Sequence, residues 1–432
     1  MECRGHTSVR MEVCMTGPEL PAFTTTALNT RIAFVIELTR RLHQYGTAAP
    51  RLEDAVSSAA LRLGLRAEVW SSPTAIILSF ADQAQGDDAI AQVTQVIRMP
   101  PGDVNLARLC EVDAIADGVT EGRIDLEEGA RQLRQMSKPL SRAQKLGMVF
   151  GFALSVFGFA VLMRGSWADA VTASVLGGMI GAVMLMAARH PRVALAGEAL
   201  SALLAALGAS LVSAWLVPLR VNVVVLSALI VLVPGMMLTA AVRELSAQHL
   251  ASGVSRLFGA LASMLKLIFG AMVIFAGSAW FGLKLPLPEL PPLPAWVQWP
   301  ALVAGTFGFA LVFLASRRDW ILVALSAMLG YVVAREAGAQ FGPGFGVFMG
   351  GLVLGAMGNL YARFAQRPGS LVREPGIILL VPGSVGYQTL AYLAQRNVHS
   401  GTETAILLVT LLVALVAGLL FGDLLVAPRR SL

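Results

Sequence analysis

Two stretches, Leu232–Leu245 (LVPGMMLTAAVREL) and Leu380–Leu393 (LVPGSVGYQTLAYL), each set Val-Pro-Gly inside an apolar run, 148 positions apart. Proline removes a backbone donor and clashes with the preceding turn, and glycine lets another chain come close. A helix carrying Pro234 or Pro382 must therefore break, freeing the carbonyls of Ile230 and Ile378 one turn earlier. Freed carbonyls can hold an ammonium group. The half-helix that starts beyond each break offers amides and a positive dipole end to a carboxylate. Gly235 and Gly383 leave room for a ligand, and Thr239, Ser384 and Tyr387 follow within about one and a half turns, where a hydroxyl can be recognised. The plainer reading is that both prolines only kink packed helices. Two copies in matching surroundings favour a shared pathway.

Other chemistry-bearing residues are sparse. Glu198 lies inside an apolar run, about 9 Å along a helix from Arg192. An acid there is costly unless paired, protonated or facing water. It can carry a coupling proton, or it can pair with Arg192 or snorkel, and both readings stand. Near the N-terminus, His43, Glu53 and Asp54 suggest acid–base work. The bland reading has Arg51 and Glu53 fixing a helix start by a local ion pair, with His43 on a solvated face. Glu244 and Asp423 read as ordinary residues near a membrane surface. Cys3, Cys14 and Cys110 share no spacing, and the five histidines are scattered, so no disulfide framework, metal site or cofactor is expected. No nucleophile-elbow, phosphate-loop or zincin pattern is present, and no enzyme activity is expected.

The elements that must position these residues are mostly membrane spans. The chain is 56% hydrophobic and 14% charged, with a mean hydropathy of +0.69. No soluble domain needs that much apolar surface. Before Lys138 there are 18 acidic residues against 13 arginines, a net of −5; from Lys138 onward there are 9 against 20 basic ones, a net of +11. That excess is explained by span-orienting loop charges and gives no reason to invoke nucleic acid. Ten spans are expected, at 145–163, 169–187, 194–215, 221–242, 262–283, 299–315, 319–335, 342–360, 376–394 and 403–426. With both termini in the cytoplasm, fifteen basic residues flank the inner side and five, Arg335 among them, the outer.

The 148-residue spacing has companions. FGFA recurs at 157–160 and 307–310, Asp169 matches Asp319, and LGGMIG at 176–181 resembles LSAMLG at 325–330. Four matches in order point to duplication, with five helices per unit. An odd number makes the second unit enter from the opposite side, which is an inverted-topology repeat. Gly177/Gly181, Gly346/Gly350 and Gly351/Gly355 read as small-residue pairs that let helices approach. The expected divisions are a disordered leader at 1–26, with Met11 or Met15 as an alternative start, and a small cytoplasmic α/β domain at 27–137. Two membrane repeats follow at 138–284 and 299–432, joined by a proline-rich linker at 285–298. In the α/β domain, helices are expected from the apolar spacing before Gly46 and from Pro50 onward. Strands are expected at AEVWSS, TAIILSF and TQVIRM, and two more helices opened by the capping aspartates Asp103 and Asp125.

With these residues in view, the chain resembles the threonine/serine exporter family of inner-membrane proteins. LHQYGTAAPRLEDAVSSAALRLGL carries that family's pattern at Gly46, Arg51 and Glu53, and VWSSPTAIILSF, VIRMPPGDVNLARLCEVDAIADGV and LEEGARQL follow in its order. The two Val-Pro-Gly stretches resemble its membrane signatures, over roughly 30 to 427; Glu244 departs from the family's usual aspartate. The resemblance implies proton-driven export of threonine, serine and similar neutral amino acids, with substrate, protons and lipid as partners and room for a homo-oligomer. A passive channel, and a membrane-anchored hydrolase with the N-terminal domain as the enzyme, are the alternatives. Ten duplicated helices exceed what an anchor requires.

Overall fold

Alternation in three short β-branched runs builds an antiparallel sheet in the order β1-β2-β3, from β1 (Leu65–Ser71), β2 (Ala75–Asp82) and β3 (Val93–Arg98). The register pairs Val69 with Leu78 and Ile77 with Val96. One face is buried through Leu65, Ile76, Leu78, Phe80 and Ile97, while Trp70 and Val96 are exposed. Helices α1 (Leu28–Gln44), α2 (Ala49–Arg62), α3 (Leu106–Thr120) and α4 (Leu126–Gln135) join the buried face in one apolar core with Phe34, Leu38, Leu52 and Val56 at its centre. The computed structural model describes residues 28–85, 93–280, 291 and 293–428. The expected leader at 1–26 and half of the linker at 285–298 lie outside these.

Gly46 ends α1 for two reasons. Its φ is +84°, and a side chain there would meet the backbone of Val104 at 3.0 Å. Asp125 caps α4 by accepting from the Glu127 amide, as expected, but α3 is capped by Asn105, which accepts from the Arg108 amide. Asp103 sits too far upstream to reach that turn.

Among the described residues, eight of the remaining helices are long and apolar enough to cross a membrane. They are α5 (Arg142–Leu162), α6 (Trp167–Ala187), α7 (Pro191–Trp215), α10 (Leu250–Trp280), α11 (Gln298–Val312) with the helical turn Ala295–Val297 ahead of it, α12 (Trp320–Phe341), α13 (Pro343–Ala365) and α16 (Val398–Leu425). The other two expected spans are each a pair of short helices: α8 (Val221–Leu229) with α9 (Gly235–Ser246), and α14 (Ser370–Ile377) with α15 (Gly383–Ala394). The helical pair at the expected ninth span begins at Ser370 rather than at 376. The fifth begins at Leu250 rather than 262, because no proline interrupts α10; at about 1.5 Å per residue its 31 residues outrun a ~30 Å hydrocarbon core.

The series α5–α10 and α11–α16 share an order: three long helices, a broken pair, a long helix. Backbone details match too. Arg164 and Leu314, after α5 and α11, both have left-handed φ, as do Gln248 and Arg396, after α9 and α15. Gly165 donates to the Ala160 carbonyl at 2.9 Å, and Ala315 to that of Ala310 at 3.0 Å. Asp169 at the start of α6 accepts from the Arg220 amide at 2.9 Å and its Nε at 3.2 Å. Asp319, just before α12, accepts from both terminal nitrogens of Arg367, at 2.5 and 2.8 Å. Each ion pair thus ties the start of a second helix to the residues leading into a broken pair. The small-residue positions face neighbours: Gly177 meets Val156, Gly350 meets Leu380 and Gly351 meets the Leu415 carbonyl.

Candidate functional site

The break in each short pair is a tight turn centred on proline. Pro234 has φ −78° and ψ 46°, and Pro382 has φ −80° and ψ 42°. These are inverse γ-turn values. Gly235 donates to the Val233 carbonyl at 2.7 Å, and Gly383 to that of Val381 at 2.8 Å. One turn earlier, Val233 and Val381 donate to Leu229 and Ile377. The two breaks therefore use the same hydrogen bonds in the same order, which two unrelated packing kinks need not do.

The breaks also touch. A Cβ on Gly235 would collide with Cγ1 of Val381 and stand 3.1 Å from the Gly383 Cα; one on Gly383 would stand 3.0 Å from Cγ1 of Val233 and 3.1 Å from the Gly235 Cα. The two glycines stand back to back, so their missing side chains permit chain crossing rather than line an open cavity. Beside the second break is a cleft of about 370 Å³, bounded by Leu379–Pro382, Ser384 and Val385 together with Tyr331, Ala334, Arg335 and Gly338 of α12. Pro382 and Ser384 face this cleft. Thr239 is buried and donates to the Gly235 carbonyl, and Tyr387 is buried in the main apolar core. Ser227, just before the first break, is fully buried, its hydroxyl has no hydrogen-bond partner among the described residues, and nothing in its sequence context marks it.

Glu198 on α7 pairs with Lys266 of α10 at 2.7 Å, not with Arg192. Lys266, expected on the inner flank, instead lies sixteen residues into α10, beside that acid. The sequence offers no route to this partner, because the two helices meet only through tertiary packing.

The N-terminal pattern has a different role from a local ion pair. Among the described residues Arg51 forms no ion pair with Glu53. Glu53 accepts from the Ser71 amide at 2.7 Å and lies 3.4 Å from Nδ1 of His249, just after α9. Helix α2 has no side-chain cap from Ala48. Its first amide, on Ala49, donates instead to Oε1 of Glu244 at 3.1 Å. Glu244 is fully buried and also accepts from Ser252 Oγ at 2.7 Å and Arg256 Nε at 2.8 Å, so it is a structural keystone rather than an ordinary surface acid. Asp423 likewise accepts from Arg373 at 2.5 Å and Asn359 at 2.7 Å, with Arg243 at 3.7 Å. Burial lowers the Arg51 guanidinium pKa first, and the charge of Arg373 lowers it further, so Arg51 lies near this charged cluster. His43 is buried, not solvated, with Nε2 3.2 Å from the Pro100 carbonyl, and burial holds its pKa below the usual value. A second docking point joins α3 to the α11 end, where the Leu106 amide donates to the Phe313 carbonyl at 3.0 Å.

Comparison with known proteins agrees with the membrane architecture. A family model described as "Putative threonine/serine exporter" matches residues 33–277, and one described as "Threonine/Serine exporter, ThrE" matches 300–425. A "Probable threonine/serine exporter" of Mycobacterium tuberculosis is 24% identical over 340 residues, covering 75% of this chain and 63% of the relative. "Pheromone-regulated membrane protein 10" of Eremothecium gossypii is 25% identical over 404 residues, covering 87% of this chain and 52% of the relative. The protein of that name in Saccharomyces cerevisiae is 23% identical over 387 residues, with 87% and 48% covered. The chain thus spans about half the length of these fungal relatives. No solved structure matches it.

Proposed function

Because the chain belongs to the threonine/serine exporter family, we propose that it is a secondary active exporter of small neutral amino acids, threonine and serine, driven by the proton motive force. The observation that carries this reading is the contact of two identical Val-Pro-Gly breaks, Gly235 against Gly383, in the fourth and ninth membrane passages. Unwound backbone is tolerated in a membrane mainly where it is buried in protein or faces water. Paired broken helices at a repeat interface are a common way to build a substrate site.

The matching order of α5–α10 and α11–α16, their paired left-handed turns and the Asp169–Arg220 and Asp319–Arg367 pairs support an inverted repeat of five passages each. In that arrangement both termini lie in the cytoplasm, the membrane is the inner (cytoplasmic) one, and the α/β domain covers the inner ends of α9 and α11. The cleft beside Pro382 and Ser384 then opens outward, since it climbs α12 toward Arg335 and Pro343. Substrate recognition falls to the backbone of both breaks with Ser384, and coupling to Glu198 with its cationic partner Lys266.

Efflux from cells preloaded with threonine-containing dipeptides tests the proposal. Export that collapses when a protonophore is added is the expected result. Export insensitive to the protonophore points to a passive channel, and no export above cells lacking the protein refutes the transport reading.

A further inference from the structure

The outward cleft contains one feature that the paired breaks do not require. Among its lining residues a single side chain is charged, Arg335, which shares the cleft with Tyr331 one turn below it and with Ser384 across it. The guanidinium carbon of Arg335 lies 5.4 Å from the centre of the Trp299 ring, and the nearest acid, Glu336, is exposed and 3.6 Å away. Glu336 approaches only the Nε of this guanidinium, and the terminal N–H groups in the same plane fit a carboxylate in two-point fashion.

The first half of the membrane region builds its helix pair and break without these groups. Ala182 and Met186 stand 149 residues before Tyr331 and Arg335, and Met236 stands 148 before Ser384. The cation, the phenol and the hydroxyl are therefore additions on one side only and are dispensable for forming the break itself. Besides Arg335, the polar side chains lining the cleft are Tyr331 and Ser384, both uncharged.

We propose that Arg335, with Tyr331 and Ser384, forms an outward subsite that holds the α-carboxylate of an amino acid between the second break and release. The proposal rests on the exporter reading above. It makes Arg335 a specificity residue for the carboxylate, leaving the side-chain hydroxyl to the breaks.

The test is exchange of radiolabelled threonine by the full-length protein in proteoliposomes, with external threonine or threoninamide as competitor. Wild-type protein should favour threonine over the amide. Arg335→Gln should raise the external half-saturation concentration about tenfold to a hundredfold, the range for losing a charge-assisted pair of hydrogen bonds. It should also erase the preference for the acid while keeping the maximal exchange rate. Arg335→Lys, which keeps the charge without the fork, should recover part of both. An Arg335→Gln protein that exchanges normally and still prefers threonine overturns the subsite and leaves the exporter reading standing, with Arg335 reduced to an interfacial anchor on Trp299. An Arg335→Gln protein that inserts but loses maximal exchange, unrescued by lysine, also overturns it. A wild-type protein that exchanges neither threonine nor serine overturns both readings.

Discussion

Gly235→Ala adds one methyl where the two breaks cross, and its consequence can be worked from the contact. Inside a helix, exchanging glycine for alanine ordinarily gains about 0.5–1 kcal/mol, and at the first position, where Gly235 stands, no more than that. Here the new Cβ would overlap Cγ1 of Val381 and crowd the Gly383 backbone at 3.1 to 3.2 Å. Overpacking of that kind costs about 1–3 kcal/mol, so a net loss of about 1–2 kcal/mol is expected. The backbone side of the contact cannot move without shifting the second break, so transport should fall more than stability does. Gly147→Ala is the control, since its nearest new neighbour would be Leu311 Cδ2 at 4.0 Å; that variant should be as stable as wild type or slightly more so. Val381→Ala removes the colliding methyl, and combined with Gly235→Ala it should recover about 1 kcal/mol beyond additivity. Thermal unfolding of the wild type and the four purified variants, with export normalised to membrane abundance, measures both effects. A Gly235→Ala protein of wild-type stability and export, with no coupling to Val381, would refute the claim that the breaks are pressed together.

Three further outcomes follow from other contacts. Glu198→Gln should abolish gradient-driven export but spare exchange. Lys266 is half-exposed, so the lost pair should cost less than about 1 kcal/mol of stability, and an unchanged pH dependence of transport would retire Glu198 as the coupling group. Glu244→Gln should cost about 2–4 kcal/mol, because it leaves Arg256 and the Ala49 amide poorly matched in a dry site; faster protease cleavage in the turn after α1 is the readout, and wild-type resistance would count against the docking. His43, held below its ordinary pKa by burial, binds a proton more readily when unfolded. Its contribution to stability is thus full above about pH 6.5 and lost as pH falls through the lower folded value; thermal melts of His43→Gln should be flatter over that window, and an identical pH slope would disprove the burial effect.

Much of this architecture is legible in the sequence because it depends on local rules. Proline cannot continue a helix, so Pro234 and Pro382 announce the breaks wherever the helices end up. Alternating β-branched residues announce β1 to β3, and left-handed turns recur at the offsets that the FGFA and Val-Pro-Gly matches suggest. What stays hidden are the partners of charged side chains, which depend on which helices meet. Glu53 follows Arg51 closely in the chain, yet it bonds the Ser71 amide, 18 residues on, and approaches His249 in another part of the molecule. Glu198 faces Lys266 instead of the nearby Arg192. Glu244 looks unremarkable beside a polar helix end because nothing local shows that a distant helix start is missing a cap.

That cap sets an order of events during synthesis. The Ala49 amide and the Glu244 carboxylate are 195 residues apart in the chain. At about 5–20 residues per second, ribosomes need roughly 10–40 seconds to travel between them. For that interval α2 exists with its first turn unanswered and the surface destined for α9 uncovered. The N-terminal lobe therefore reaches its finished state only after the fourth passage has been inserted, and a nascent chain stalled before Glu244 should expose that lobe to chaperones and proteases.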